Sequence, residues 1–143
     1  MTGKPDLIES LNRLLEIEYR SFAMYLGDAS PWFSDADAKA VLAVKNIAAD
    51  QQAMSQRIAE LILDLGGRIE PGEYPTQFTD THFLSIEFLL KELVYYQRQD
   101  IADIERIVGE LVGHREAREL AEETLGAERA HLEALEALTT QAV

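Results

Sequence analysis

Apolar residues recur every three or four positions along most of this chain, which is the spacing of one face of an α-helix. The pattern predicts four long helices, over about residues 5–29, 35–65, 80–112 and 114–138. Gly66 and Gly67 end the second helix. The stretch that follows to residue 80 contains Pro71 and Pro75 and is longer than most connections in helix bundles. Its length indicates a crossover from one end of a bundle to the other.

Polar side chains interrupt the apolar stripes of the first and last helices. Glu18 lies four residues after Leu14 and four before Phe22, which places it in the predicted core. Glu128 and His131 stand three residues apart and project from nearly one face. A metal ion would satisfy them, because an inward Glu-x-x-His pair is a recurrent metal-binding device in four-helix bundles. A hydrogen-bonded Glu–His pair, or helices rotated so that these side chains face water, are the alternatives.

The two middle helices differ in what their centres contain. On the third helix, Glu92 shares a seam with Phe88, Leu89 and Tyr96, so we expect its carboxylate inside the bundle. On the second helix, Gln51 and Met54 occupy the central seam positions. An amide and a thioether are poor ligands for a hard or borderline cation. Met54 is therefore expected to fill the core.

The composition narrows the class of protein. With 143 residues, of which 47% are hydrophobic and 27% charged, the chain is expected to form one domain over residues 1–143. It has no run of eighteen apolar residues and its first residues lack the apolar core of a signal peptide, so we expect a cytoplasmic protein. Without cysteine, the strong ligands left are carboxylate and imidazole, which favours iron, manganese or zinc.

The balance of acidic and basic residues narrows the kinds of partner that the protein can bind. Twenty-six acidic and thirteen basic residues give a formal net charge of -13. This argues against binding to nucleic acid or to an anionic membrane and favours attraction of cations. An acidic surface also serves simply to maintain solubility.

Together these features resemble the ferritin-like superfamily, and within it the bacterioferritin and rubrerythrin-type proteins. The resemblance extends from about Leu7 to Leu138 and rests on four long helices, a crossover after the second, and the acidic and histidine positions above. Its most specific pieces are residues 14–18 with Tyr25, residues 57–67 and residues 128–131. The resemblance implies an all-α fold, a ferritin-like four-helix bundle.

The resemblance also implies a metal site. In that family a di-iron centre takes one Glu from each of two helices and a Glu-x-x-His motif from each of the other two. Carried over by position, Glu18 and Glu92 are terminal ligands, Glu128 is a bridging carboxylate and His131 is the nitrogen ligand. Because Gln51 begins the segment that corresponds to the second motif, that centre is incomplete. The function implied is the binding of one ion of iron, manganese or zinc by Glu92, Glu128 and His131, with Glu18 as a further ligand or a neighbouring group. Ferroxidase-type oxidation of Fe(II) is the reaction that this implies.

Two other properties of the resembled proteins are not expected. Gln52 stands where bacterioferritin-like haem ligation requires a methionine, so no haem is expected. The chain ends without the short fifth helix of large storage shells, which implies a small oligomer, a homodimer.

Asp50 neighbours Gln51 but points about 100° away from it, so it is a weak substitute ligand.

Two functions from other classes remain open. The first is a metal-free bundle, a structural or interaction module in which Glu18, Glu92, Glu128 and His131 form an internal hydrogen-bond network with Gln51. The second is a small-molecule or peptide binder that uses aromatic side chains, which otherwise pack the bundle. These aromatic residues are Trp32, Phe33, Tyr74, Phe78, Tyr95 and Tyr96.

Overall fold

A computed structural model describes residues 4–29, 38–81 and 85–141, and within these ranges the chain is helical with no β-strand. The described residues form five α-helices and one 3-10 helix, in this order: α1 Lys4–Tyr19, α2 Phe22–Ala29, α3 Ala38–Asp64, the 3-10 helix Thr76–Thr81, α4 Ile86–Glu110 and α5 Arg115–Gln141. The all-α prediction is confirmed. The predicted start of the second helix at residues 35–37, and the aromatic pair Trp32 and Phe33, lie outside the described residues.

Contacts across the bundle define the direction of α3 relative to α5. Asp50 Oδ2 lies 3.0 Å from His131 Nε2. Two turns further along α3, Arg57 forms an ion pair with Glu123 at 2.7 Å. As the residue number rises on α3 it falls on α5, so the two helices are antiparallel.

Ion pairs define the direction of α4 in the same way. Arg98 pairs with Glu136 at 3.1 Å, and Glu105 pairs with Arg129 at 3.0 Å. Because α5 is antiparallel to both α3 and α4, those two helices run parallel. Both pack against α1 and α5. Parallel helices need a connection that returns along the bundle, and the chain between Asp64 and Ile86 provides it. The predicted crossover is confirmed.

The end of α3 follows from two glycines, as predicted. The N–H of Gly66 donates to the carbonyl of Leu63 at 2.9 Å, and the N–H of Gly67 donates to that of Ile62 at 2.8 Å. Gly66 has a φ of 81°, which L side chains rarely adopt. This is the Schellman motif, in which glycine allows the chain to satisfy the last carbonyls of the helix.

Other helix ends differ from the predictions. Ser85 caps α4, because its hydroxyl accepts from the N–H of Phe88 at 3.3 Å. The predicted caps, Thr79 and Thr81, belong instead to the preceding 3-10 helix. At the other end of the chain, α5 continues beyond Leu138, so the tail predicted from that point is partly helical.

The first predicted helix is wrong as one continuous element, since it breaks at residues 20 and 21. The Ser21 hydroxyl accepts from the N–H of Met24 at 3.1 Å and so caps α2. Arg20 Nε donates to the carbonyl of Gly72 at 2.9 Å, which ties the break to the crossover. Serine favours such a cap because its side chain competes with the backbone for hydrogen bonds.

The interior has three parts along the bundle axis. The aliphatic cluster contains Leu11, Leu14, Leu15, Met54, Ile58, Leu61, Ile62, Ile101, Ile104, Ile107 and neighbours on α5. The aromatic cluster contains Phe22, Phe78, Leu89, Leu90, Leu93 and Leu135, with Tyr25, Tyr74 and Tyr96 packed against it. Buried polar residues separate the two in sequence on every long helix. We call them the polar layer: Glu18, Ser21, Gln51, Gln97, Thr124 and Glu128.

The helices were also compared with the length and hydropathy that a membrane span requires. Among the described residues, no helix is both long enough and apolar enough to cross a bilayer.

Candidate metal centre

Glu128 is the centre of the polar layer and is 0% exposed. Its Oε2 accepts from Gln51 Nε2 at 2.7 Å, and its Oε1 contacts His131 Nδ1 in a short hydrogen bond. Its backbone carbonyl accepts from Gln97 Nε2 at 3.0 Å. The glutamate thus joins α3, α4 and α5.

His131 lies between two carboxylates. Its Nε2 is 3.0 Å from Asp50 Oδ2, and its Nδ1 faces Glu128. Burial alone would lower the pKa of His131, but its hydrogen bonds with Glu128 and Asp50 raise the pKa above the usual value. The outer nitrogen, Nε2, is thus held by a carboxylate, and the inner nitrogen, Nδ1, faces acidic groups. This orientation is typical of a histidine that binds a metal.

Glu18 is 1% exposed and lies against Glu128. Burial raises the pKa of Glu18 well above its usual range, and the charge of Glu128 raises it further. Among the described residues, Glu18 Oε2 has no hydrogen-bond partner. A buried carboxyl oxygen without a donor is costly, so this position requires a proton or a cation.

The pKa values of the two buried glutamates are shifted in opposite directions. Burial pushes the pKa of Glu128 upward, but hydrogen bonds with His131, Glu18 and Gln51 bring it below the usual value. Of the two, Glu18 therefore holds a proton more tightly and Glu128 is the more readily ionised. Carboxyl pairs whose environments separate their pKa values are typical of functional sites.

Asp100 is a further acidic group that sequence reasoning missed. Burial, followed by the charge of Glu128, raises the pKa of Asp100 to about 8. Its charge in turn acts on Glu18. The signal was present, because Asp100 lies three residues after Gln97 and four before Ile104, both of which are buried.

Glu92 is half-buried and stands apart from the fully buried residues of α4. Those are Leu89, Leu90, Leu93, Gln97, Ile101, Ile104 and Ile107. Of the seam expected from the sequence, Leu89 is 0% exposed but Phe88 is 46% exposed. The charge of Glu92 acts on Tyr96. Gln97, five residues further along the helix, bonds to the backbone of Glu128. Glu18, Glu128 and His131 lie together, and the role of Glu92 as a ligand stays a prediction.

Gln51 links the helix break to the centre. Its Oε1 accepts from the Ser21 hydroxyl at 2.5 Å, while its Nε2 donates to Glu128. Met54 packs in the aliphatic cluster. Asp50 contacts the outer nitrogen of His131 and does not take the place of Gln51.

The side chains of the site are bonded to one another. Within residues 4–29, 38–81 and 85–141, no three His, Asp or Glu side chains form a group with the geometry of a metal site. The reason is visible in the contacts, since both oxygens of Glu128 and both nitrogens of His131 already have partners. An ion would have to replace the hydrogen bonds that join Glu18, Glu128 and His131.

Comparison with known proteins gives the fold. Neither a protein-family model nor a curated protein sequence matches this chain. A crystal structure described as ferritin-like, diiron-carboxylate proteins from Bacillus anthracis str. Ames is similar, with a TM-score of 0.79 and 21% sequence identity. The alignment covers 97% of this chain and 99% of that one. The helix order, the crossover and this similarity over the full length show that the chain has the ferritin-like helical-bundle fold.

Proposed function

We propose that the protein binds one divalent metal ion, of iron, manganese or zinc, in its polar layer through Glu18, Glu128 and His131. The observation that carries this proposal is the hydrogen bond of Asp50 to the outer nitrogen of His131, which leaves Nδ1 directed at the buried carboxylates. Glu18 Oε2, which lacks a donor, supplies a further oxygen for a cation. These residues fit a metal because carboxylate and imidazole are its usual ligands.

One bound ion is favoured over two because two of the inward positions of the polar layer hold neutral glutamines. Two neighbouring cations need several anionic ligands to offset their repulsion. Gln51 and Gln97 are neutral, and each uses its amide N–H to bind Glu128. The polar layer therefore has fewer charges than a two-metal centre requires.

Oxidation of Fe(II), a ferroxidase-type reaction, is the narrower hypothesis. A bound iron would supply the one-electron chemistry with oxygen or peroxide. The chain also contributes two phenol groups, because Tyr25 and Tyr96 pack against the aromatic cluster, which adjoins the polar layer. Burial, followed by the charge of Glu92, raises the pKa of Tyr96, so its phenol remains protonated at neutral pH. Oxygen consumption on addition of Fe(II) tests this activity.

A metal-free structural bundle is the second candidate, and the glutamine contacts favour it. Gln51 bonds to both Ser21 and Glu128, and Gln97 bonds to the backbone of α5. Buried polar networks stabilise one arrangement of a core when their members are mutually satisfied. A proton shared between Glu18 and Glu128 would complete this network without metal.

Anaerobic calorimetric titration of Fe(II) into metal-stripped protein separates the two candidates. We expect one ion per chain for the wild type. Glu18→Gln keeps the shape of the side chain but cannot ionise to a carboxylate ligand, so it should weaken binding at least about tenfold. Glu9→Gln is the matched control, because Glu9 is exposed on the same helix.

The outcomes distinguish the candidates clearly. Equal affinity in wild type and Glu18→Gln would exclude the polar layer as the site. Absence of binding would favour the metal-free bundle. In that case added metal should also leave the melting temperature unchanged, whereas an ion at 100 times its dissociation constant should stabilise the folded state by about 2.7 kcal/mol.

We also propose that the protein acts in the cytoplasm as a homodimer. Sedimentation at micromolar concentration tests this, and a 24-subunit particle would contradict it.

A further inference from the structure

A cavity of about 560 Å³ lies beside the polar layer, between α1, the crossover and the C-terminal half of α4. Its lining includes exposed groups such as Glu73 and Gln99, the buried Ser21 and the half-buried Asp100. The Ser21 hydroxyl donates to Gln51, which in turn donates to Glu128. The charge of Asp100 raises the pKa of Glu18, and the charge of Glu128 raises the pKa of Asp100. The cavity therefore ends at two residues, Ser21 and Asp100, that adjoin the proposed metal site.

The positive groups of the cavity are already bonded. Arg13 pairs with Glu110, and Arg106 pairs with Asp103. Arg20 donates to the carbonyl of Gly72. The two ion pairs offset the charges of Arg13 and Arg106, which would otherwise repel a cation, while Arg20 is held at the crossover by its hydrogen bond.

Asp100 differs from the other acidic groups of the cavity. It is half-buried at the edge of the cavity, and burial together with the charge of Glu128 raises its pKa to about 8. A carboxyl group held beside another carboxylate is stabilised by a proton or by a cation. Since Asp100 borders the cavity and interacts electrostatically with Glu18 and Glu128, it is placed to pass a cation from the cavity towards those glutamates.

We propose that this cavity is the route by which divalent cations reach the polar layer, with Asp100 as the carboxylate that they meet before Glu18 and Glu128. This inference rests on the proposed metal binding. The rival route lies on the opposite side of His131, where Asp50 is 71% exposed and the imidazole is 12% exposed.

A route and a ligand have different kinetic signatures. A carboxylate on the path stabilises the cation during both arrival and departure, so its loss slows both rates and changes the equilibrium affinity little. A ligand stabilises the bound state, so its loss mainly accelerates dissociation. The ratio of the two rate constants therefore separates these roles for Asp100.

The experiment is stopped-flow mixing of Co(II) with the metal-stripped protein, with Co(II) absorbance as the signal and excess chelator to measure release. We expect Asp100→Asn to slow association and dissociation by about tenfold each, with little change in Kd. Glu87→Gln removes one exposed carboxylate from the same helix and should leave both rates unchanged. Circular dichroism checks that each variant is folded.

A second variant tests the cavity without changing its charge. Gln99 is exposed and lines the cavity, so Gln99→Trp should narrow the cavity and slow both rates in the same direction. Unchanged rates in both Asp100→Asn and Gln99→Trp, with slower binding in Asp50→Asn, would overturn the proposal in favour of the His131 side. Faster dissociation with unchanged association in Asp100→Asn would also overturn it, because Asp100 would then be a ligand.

The failure of the proposed function is seen separately. If wild-type protein gives no Co(II) signal and binds no Fe(II) by calorimetry, then both the metal site and its route are excluded. If wild type binds one ion but none of these variants changes the rates, only the route is excluded.

Discussion

The aliphatic cluster and the polar layer are equally buried but depend on different interactions. Leu14 and Ile58 are 0% exposed in the cluster, and Gln51 and Glu128 are 0% exposed in the layer. The leucine and isoleucine need only well-packed neighbours. The glutamine and glutamate need specific donors, acceptors and protonation states. Equal burial therefore has different consequences in the two regions. The stability of the aliphatic cluster does not depend on pH or on ligands, whereas that of the polar layer does.

The largest expected effect comes from a cavity in the aliphatic cluster. Leu14→Ala should lower the free energy of unfolding by about 2–5 kcal/mol, measured by chemical denaturation. The loss should be the same with and without metal, because Leu14 belongs to the part of the core that needs no ligand. Leu42→Ala is the control, since Leu42 is 60% exposed and should cost no more than about 0.5 kcal/mol. A loss for Leu14→Ala that depended on metal would contradict this separation.

The pH dependence of stability should arise from the polar layer. The folded-state pKa values of Glu18, Asp100 and His131 are raised, so the folded protein holds protons that the unfolded chain releases. Stability of the metal-free protein should therefore fall as the pH rises from about 5 to 8, by up to about 1.4 kcal/mol per pH unit for each such proton. The lowered pKa of Glu128 acts only below this window.

Urea unfolding at several pH values measures this effect. Asp100→Asn should flatten the curve between about pH 4 and 8, because that proton no longer titrates. Leu14→Ala should lower the whole curve without changing its slope. A wild-type curve that rises over the window would contradict the raised folded-state pKa values of Glu18 and Asp100.

Restoring a Glu-x-x-His motif on α3 should make the stability of the polar layer depend more strongly on metal, while the aliphatic cluster stays independent of it. Gln51→Glu with Met54→His creates a second Glu-x-x-His on α3, so calorimetry should find two ions per chain. Without metal, the double variant should lose about 1–3 kcal/mol, because a buried carboxylate replaces the amide that donates to Glu128. Met54→Leu is the control for the packing of that position. One ion per chain in the double variant would show that more than these two residues limits the site.

The smallest expected effect is that of Glu92→Gln. Glu92 lies outside the buried set of α4, so stability should change by no more than about 0.5 kcal/mol and metal affinity by less than about twofold. Gln97→Ala is the informative comparison, since Gln97 is 4% exposed and bonded to α5. Strong loss of metal binding in Glu92→Gln would restore the ligand expected from the sequence.

Several features of the fold and site could be predicted because they are local or periodic. Helix periodicity identified the long helices, and the glycine pair identified the end of α3. The positions of Glu18, Glu128 and His131 within apolar stripes placed them in the interior. The structure finds these three side chains together, although their role as ligands remains a prediction.

Other features could not be predicted with equal certainty, because the apolar stripe of a helix covers a range of angles around the helix axis. Glu92 and Gln97 lie five residues apart on α4, about 140° around the helix axis, so the rotation of the packed helix decides which one faces inward. Ser21 was compatible with a continuous helix until its contacts with Met24 and Gln51 were known. Asp50 was correctly expected to point away from Gln51, but its contact with His131 depends on the packing of α3 against α5.

By itself the sequence determined the helical class, the crossover and the presence of acidic and imidazole groups inside the bundle, because these follow from spacing along one chain. Only the tertiary structure decided which groups meet: Gln97 with Glu128, Asp100 near Glu18, and Asp50 behind His131. The physical reason is that spacing defines a face of a helix, whereas the rotation and register of packed helices define the partners of each side chain on that face.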